Sequence, residues 1–166
     1  MNQIAILVPV LNRPQNARPL VASALRSTKV RHSIVFLCSP GDDLEIKACR
    51  ETVANVHVVD WEPGPGDWAK KINRGFAITS EEFVLLGADD LCFHEGWDMA
   101  VLGVARQSGA GVVGTNDLGN ATVMRGHQSS VCESENVRAS RSPAFASRAG
   151  SGASSCSGLQ GSAGSR

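Results

Sequence analysis

Short apolar runs alternate with amphipathic segments through the first 126 residues of the chain. Runs rich in branched apolar side chains predict buried strands at residues 4–10, 33–38, 56–60, 83–87 and 111–114. Between them, apolar side chains recur at helical spacing and predict helices at residues 16–28, 43–54, 67–78 and 95–108. Strands that alternate with helices indicate an α/β domain, in which helices cover both faces of a mostly parallel sheet.

Individual side chains on the third helix are also assigned by this spacing. Trp68, Ile72 and Phe76 recur every four residues and are expected to face the core. The lysines Lys70 and Lys71 are expected on the polar, solvent-facing side.

The composition changes abruptly near Gly126. Residues 129–166 consist mostly of Ser, Ala, Gly and Arg and carry few branched aliphatic side chains. Such a segment cannot bury enough apolar surface to offset its ordering entropy. We therefore predict one domain over residues 1–126 and a disordered tail over residues 127–166, which is either a natural flexible tail or a segment read out of frame. Sequencing the coding DNA distinguishes these two origins.

Charge and composition exclude several classes of partner. Sixteen basic and sixteen acidic residues cancel, so no overall field favours nucleic acid or an anionic membrane. No apolar run approaches the roughly 18–20 residues of a membrane helix, and the N-terminus lacks a basic signal region, so we expect a cytoplasmic protein. The five cysteines form no Cys-x-x-Cys pair and the four histidines are dispersed, which predicts free thiols and no zinc site.

Polar side chains follow the predicted strands at the points where the strands end. Asn12, the segment 39–43, Asp60 and the pair Asp89-Asp90 all occupy such positions. Ligands of open α/β sheets bind beyond the carboxyl ends of the strands. The sequence therefore predicts a binding site at this edge of the sheet.

The pair Asp89-Asp90 ends the apolar strand in EEFVLLGADDL. Adjacent carboxylates repel each other, so a positive charge is expected beside them. Oxygen-rich sites suit Mg²⁺ or Mn²⁺, and a cation bound there would also reach a diphosphate. The alternative is a solvated turn, for which two aspartates are ordinary.

Two segments resemble the GT-A glycosyltransferases, in particular inverting family 2 and its phage-encoded members. PVLNRPQN (9–16) is similar to the family's opening strand and nucleotide-wrapping loop. GDWAKKINRGFAITSEEFVLLGADDL (66–91) is similar to its sugar-nucleotide core, which ends in an Asp-x-Asp-type motif. The resemblance covers about residues 4–126, and its phage-type character continues through GVVGTNDLGN. It implies transfer of a sugar from a nucleoside-diphosphate sugar to an acceptor that the sequence does not identify.

The resemblance also implies roles for individual residues. They are Pro9, Asn12, Asp42 (or its neighbour Asp43), Asp60, Lys70 and Asn73 at the donor, Asp89 and Asp90 at a Mg²⁺ or Mn²⁺ ion, and Asp117 as the candidate general base. Each also has a plainer interpretation as a strand end, a helix or turn cap, or a solvent-exposed polar group.

The chain departs from the family pattern at two places. Gly87 stands where the family usually has the first Asp of its motif, and the tail after residue 126 replaces the expected acceptor-binding half. A catalytically inactive sugar-nucleotide-binding fragment is therefore an alternative. A nucleotidyltransferase is disfavoured because LVPVLNRPQN lacks a glycine-rich loop, and a Rossmann dinucleotide domain because no G-x-G-x-x-G follows the first strand. Nothing in the sequence speaks for a non-enzymatic interaction domain.

Overall fold

The computed structural model describes residues 3–115 and 130–134, with the backbone alone described for the second range. A 3-10 turn at Pro14–Asn16 precedes α1. The elements in chain order are β1 (Ile4–Pro9), α1 (Ala17–Ser27), β2 (His32–Cys38), α2 (Asp43–Arg50), β3 (Asn55–Val58), α3 (Asp67–Ile78), β4 (Phe83–Leu86), α4 (Trp97–Ser108), β5 (Val112–Thr115) and β6 (Ser130–Ser134).

Every strand and helix predicted from the sequence is present in this order. The largest difference is at the end of α2, which was expected to reach residue 54 and ends at Arg50. Thr52 explains the early end, because its hydroxyl donates to the Cys49 carbonyl at 2.7 Å and accepts from the Ala54 N–H at 3.2 Å. These bonds replace the next helical turn.

The six strands form one sheet in the order β3-β2-β1-β4-β6-β5. The first four strands in this order are mutually parallel, whereas β6 runs antiparallel to both β4 and β5. The prediction of a disordered tail is wrong for Ser130–Ser134, because this strand pairs with β4 on one side and β5 on the other. Pairing on both sides satisfies backbone groups through tertiary contacts, which local composition does not reveal. The rest of residues 127–166 lies outside the described residues.

Helices cover both faces of the sheet, as expected. On one face, Ile4, Ile6 and Val8 of β1 pack with buried side chains of α1, α2 and α4. On the other face, Ala5 and Leu7 pack with α3. The alternation along β1 is that of a central strand buried on both sides.

The expectation that Trp68 faces the core is wrong. Ile72 is buried, but the Trp68 side chain is 51% exposed. Trp68 lies in the first turn of α3, one turn before Lys71, which contacts Val10 and Ser39 just past the ends of β1 and β2. The start of α3 therefore lies near the strand ends, and about half of Trp68 is exposed to solvent.

Among the cysteine side chains that the structure describes, Cys38 and Cys49 are buried, Cys92 is exposed, and all three are free thiols. Within the described ranges, no helix combines the length and the apolar character that a bilayer span requires.

Candidate functional site

The loop that leaves β1 is held by two hydrogen bonds to the start of α2. The Asn12 N–H donates to Asp42 Oδ2 at 2.8 Å, and the Arg13 N–H donates to Glu45 Oε2 at 2.6 Å. Asn12 has a φ of 56°, a left-handed conformation that Asn tolerates better than most residues. The structure thus brings together Asn12 and Asp42, two residues that the sequence placed at the donor.

Asp42 uses both carboxylate oxygens within the chain. Its Oδ2 holds Asn12, and its Oδ1 accepts from the Glu45 N–H at 3.4 Å as the N-cap of α2. These contacts give Asp42 a role in anchoring the loop, and a direct contact with the donor remains a prediction.

Glu45 was not selected from the sequence. Its side chain is 1% exposed, and burial raises its pKa, opposed in part by the hydrogen bond from the Arg13 backbone. The signal that could have found it is the spacing Asp42-x-x-Glu45, which matches a capping box. Here the glutamate turns instead to the loop after β1.

Asp89 and Asp90 meet a positive charge from the same chain. Asp89 Oδ2 lies 3.0 Å from Arg13 Nε and accepts from Asn16 Nδ2 at 3.4 Å. Asp90 Oδ2 lies 3.7 Å from Arg13 Nη1. The Asp89 side chain is 4% exposed and that of Asp90 is 65% exposed. In the structure, Arg13 supplies the positive charge that is expected beside this pair. Binding of a divalent cation by Asp89 and Asp90 remains a prediction.

Lys71 joins three elements at the same edge of the sheet. Its side chain is 1% exposed, and its Nζ donates to the Val10 carbonyl at 2.8 Å and to Ser39 Oγ at 2.7 Å. It also pairs with Asp67 Oδ2 at 2.9 Å, while Asp67 Oδ1 accepts from Trp61 Nε1 at 2.8 Å. The prediction that Lys71 faces solvent is wrong, because carbonyl, hydroxyl and carboxylate acceptors converge on it where β1 and β2 end.

The other residues predicted at the donor are exposed or half-buried. Lys70 and Asn73 are exposed on α3, and Pro9 is the half-buried last residue of β1. Asp60, 75% exposed, pairs with Arg74 Nη2 at 3.2 Å, and this guanidinium lies 5.9 Å from the centre of the Trp61 ring. Asp117 lies outside the described residues.

Carboxylates outnumber cations around the loop after β1. The cations are Arg13, which belongs to the loop, and Lys71, which contacts Val10 just before it. The acidic side chains that contact the loop or one of these two cations are five: Asp42, Glu45, Asp67, Asp89 and Asp90. An excess of negative charge at a sheet edge attracts a cation and repels an unaccompanied diphosphate.

The donor set fits a divalent cation only in part. In the described part of the chain, no three His, Cys, Asp or Glu side chains are close enough to hold a metal ion by themselves. Mg²⁺ is typically bound through one or two carboxylates together with water and substrate phosphate oxygens. Asp89 and Asp90 fit that arrangement, in which the cation and a diphosphate bind together.

Gly87 is the first residue of the Asp-x-Asp-like motif, and the structure explains the missing aspartate. Its N–H donates to the Leu7 carbonyl at 2.8 Å, and a Cβ added to it would lie 2.9 Å from the same oxygen. The backbones of β1 and β4 are therefore too close at this point for any side chain.

We expect Gly87→Ala to lower the free energy of unfolding by about 1–3 kcal/mol, because the contact with backbone forces the strands apart. Chemical denaturation of the purified chain measures this change. Gly103→Ala is the matched control, since a Cβ there meets nothing within 4 Å and alanine in a helix is stabilising by roughly 0.5–1 kcal/mol. Equal stability of Gly87→Ala and the unaltered protein would contradict the packing argument.

Comparison with known proteins shows the fold. No protein-family model and no curated protein sequence matches the chain. Among solved structures, glucosyl-3-phosphoglycerate synthase from Mycobacterium tuberculosis with Mn²⁺, UDP and phosphoglyceric acid has a TM-score of 0.63 at 18% identity, covering 82% of this chain and 57% of the synthase. Its complex with Mn²⁺, UDP-glucose and phosphoglyceric acid has a TM-score of 0.61 at 17% identity, covering 82% and 57%.

S. aureus TarS (residues 1–349) has a TM-score of 0.53 at 18% identity, covering 66% of this chain and 34% of TarS. The chain therefore spans less than two thirds of the length of each of these structures. Both proteins are GT-A glycosyltransferases, and the likeness to them shows that this chain has the GT-A fold.

Proposed function

We propose that this chain binds a nucleoside-diphosphate sugar together with a divalent cation, as the donor-binding half of a glycosyltransferase. The observation that carries the proposal is the convergence of the Asn12-Arg13 loop, Asp42 and the Asp89-Asp90 pair at the carboxyl edge of the sheet. Ligands of such sheets bind at this edge. The synthase with the same fold has been solved with UDP, UDP-glucose and Mn²⁺, which supports a ligand of this class.

The fixed loop after β1 would receive the nucleoside, with Pro9 and Asn12 setting its shape. Asp89 and Asp90 would hold Mg²⁺ or Mn²⁺, which when bound neutralises charge on the diphosphate leaving group. Asp60, Lys70 and Asn73 stay candidates for donor contacts, and Asp117 stays the candidate for the acceptor's general base. The acceptor, a phage-type origin and a cytoplasmic location also remain predictions.

Donor binding without transfer stays open as an alternative function, because Gly87 stands where the family that the sequence resembles usually has the first aspartate of its motif. The candidate base Asp117 lies outside the described residues. Release of free sugar or its transfer to an added acceptor, followed by chromatography of the products, separates an enzyme from a binding protein.

Donor binding is tested by titrating UDP-glucose, and then GDP-mannose, into the full chain by calorimetry with and without MnCl₂. We expect binding of at least one donor in the presence of Mn²⁺. Asp89→Ala is expected to weaken it about tenfold or more, because a buried carboxylate of the cation site is lost.

Glu82→Gln is the control carboxylate variant. Glu82 directly precedes β4, at the opposite end of the strand from Asp89, and its Oε2 lies 3.9 Å from Arg106 Nη2. Thermal unfolding confirms that both variants are folded. The proposal fails if neither donor binds with Mn²⁺, or if folded Asp89→Ala binds as tightly as the unaltered protein.

A further inference from the structure

We propose that Arg13 is an internal counter-ion that a divalent cation must displace from Asp89 and Asp90, so that cation and diphosphate bind as a coupled pair. This inference rests on the proposed function and assigns to the same site a residue that controls its cation affinity.

The geometry of Arg13 places it in competition with a cation. One guanidinium spans both carboxylates, with Nε 3.0 Å from Asp89 Oδ2 and Nη1 3.7 Å from Asp90 Oδ2. Asp89 is 4% exposed, so water contributes little to balancing its charge, and a partner cation is needed. A metal ion held by Asp89 and Asp90 would take over the negative charge that Arg13 neutralises, and it would repel the guanidinium. The two positive groups therefore compete for this pair of carboxylates.

Arg13 is able to leave without disturbing the loop. Its backbone is held by the hydrogen bond to Glu45 and is followed by Pro14, whose ring fixes the next φ angle. Its side chain is 52% exposed, so the guanidinium can turn toward solvent while the backbone stays in place. The loop thus supplies a fixed base for a movable charge.

The displaced Arg13 guanidinium is available to bind a diphosphate. Lys71, the other cation of the site, is 1% exposed and its ammonium is engaged by Val10, Ser39 and Asp67. Arg13 is therefore the accessible cation of these two. Once a metal ion neutralises Asp89 and Asp90, the freed guanidinium can bind a diphosphate through two parallel hydrogen bonds. When a cation binds without a diphosphate, the Arg13 ion pairs are broken and no new hydrogen bonds to the guanidinium replace them.

The test is Mn²⁺ binding to the full chain without nucleotide, measured by electron paramagnetic resonance of free Mn²⁺. We expect Arg13→Gln to bind Mn²⁺ about fivefold more tightly than the unaltered protein, because the competing ion pairs are removed. Arg13→Lys keeps the charge but cannot span both carboxylates, and an intermediate affinity is expected. Arg106→Gln is the matched control with no expected change, since Arg106 is 54% exposed and its carboxylate partner is Glu82.

A second arm measures UDP binding at saturating Mn²⁺. The affinity of Arg13→Gln for UDP is expected to fall, so Mn²⁺ and UDP should enhance each other's binding less than in the unaltered protein. Thermal unfolding checks that the variants are folded, and Arg13→Lys replaces Arg13→Gln in both arms if the latter is not.

Mn²⁺ affinity that is unchanged or weaker in folded Arg13→Gln would overturn the inference, as would the absence of measurable Mn²⁺ binding to that variant. The proposed function fails separately, through the absence of UDP or donor binding by the unaltered protein. Because the first arm contains no nucleotide, the two failures are distinguishable.

Discussion

Lys71→Met is expected to lower the free energy of unfolding by about 3–5 kcal/mol, the usual result of breaking a buried ion pair by removing one partner. Methionine fills similar space but cannot donate to the Val10 carbonyl and Ser39 Oγ, which accept from Lys71 at 2.8 and 2.7 Å. Asp67, 13% exposed, would also lose its cation at 2.9 Å. The contacts that join α3 to the ends of β1 and β2 would be lost.

Urea denaturation followed by circular dichroism measures the Lys71→Met loss. Lys70→Met is the control for stability, because Lys70 is the exposed neighbour on the same helix and should change the free energy by no more than about 0.5 kcal/mol. The double variant Asp67→Asn with Lys71→Met should be less destabilised than the sum of the single variants, since no unpaired carboxylate remains. A Lys71→Met loss no larger than that of Lys70→Met would show that the buried network does not stabilise the fold.

Asp98→Ala is expected to cost about 3 kcal/mol of unfolding free energy. The Asp98 side chain is 0% exposed, and its Oδ2 accepts from the Lys29 N–H at 2.6 Å and the Val30 N–H at 2.7 Å. Alanine would leave two part-buried donors without this acceptor, each costing roughly 1–3 kcal/mol. This carboxylate connects the start of α4 to the segment between α1 and β2.

The Asp98 prediction is checked by the same denaturation experiment. Asp98→Asn keeps an acceptor oxygen and should lose less than alanine. Met99→Ala, at the next position and 55% exposed, should change the free energy by about 0.5 kcal/mol or less. If Asp98→Ala and Met99→Ala were equally stable, the two backbone hydrogen bonds would have no net value.

The order of strands and helices was predictable because each element carries its own apolar spacing. The run at residues 4–10 is buried on both faces, as its unbroken apolar character indicates, and Ile72 faces the core at the expected helical position. The edge of the sheet that gathers Asn12 and Asp42 was predictable as well, because parallel strands end on the same side.

The partners of the charged side chains were not predictable from spacing. Lys71 reads as a polar helix residue, and only the acceptors contributed by Val10, Ser39 and Asp67 allow its burial. The sequence around Arg13 likewise does not indicate its ion pair with Asp89, 76 positions later in the chain. Such contacts depend on tertiary placement, which local sequence does not encode.

The insertion of β6 between β4 and β5 changes where the folding unit ends. A shortened chain that stops at residue 126 would lack the strand that pairs with both neighbours. The backbone groups of Phe83–Leu86 would then face water or another molecule. An exposed strand edge of this kind promotes edge-to-edge aggregation. Any minimal version of this protein intended to bind ligand should therefore retain the chain at least through Ser134.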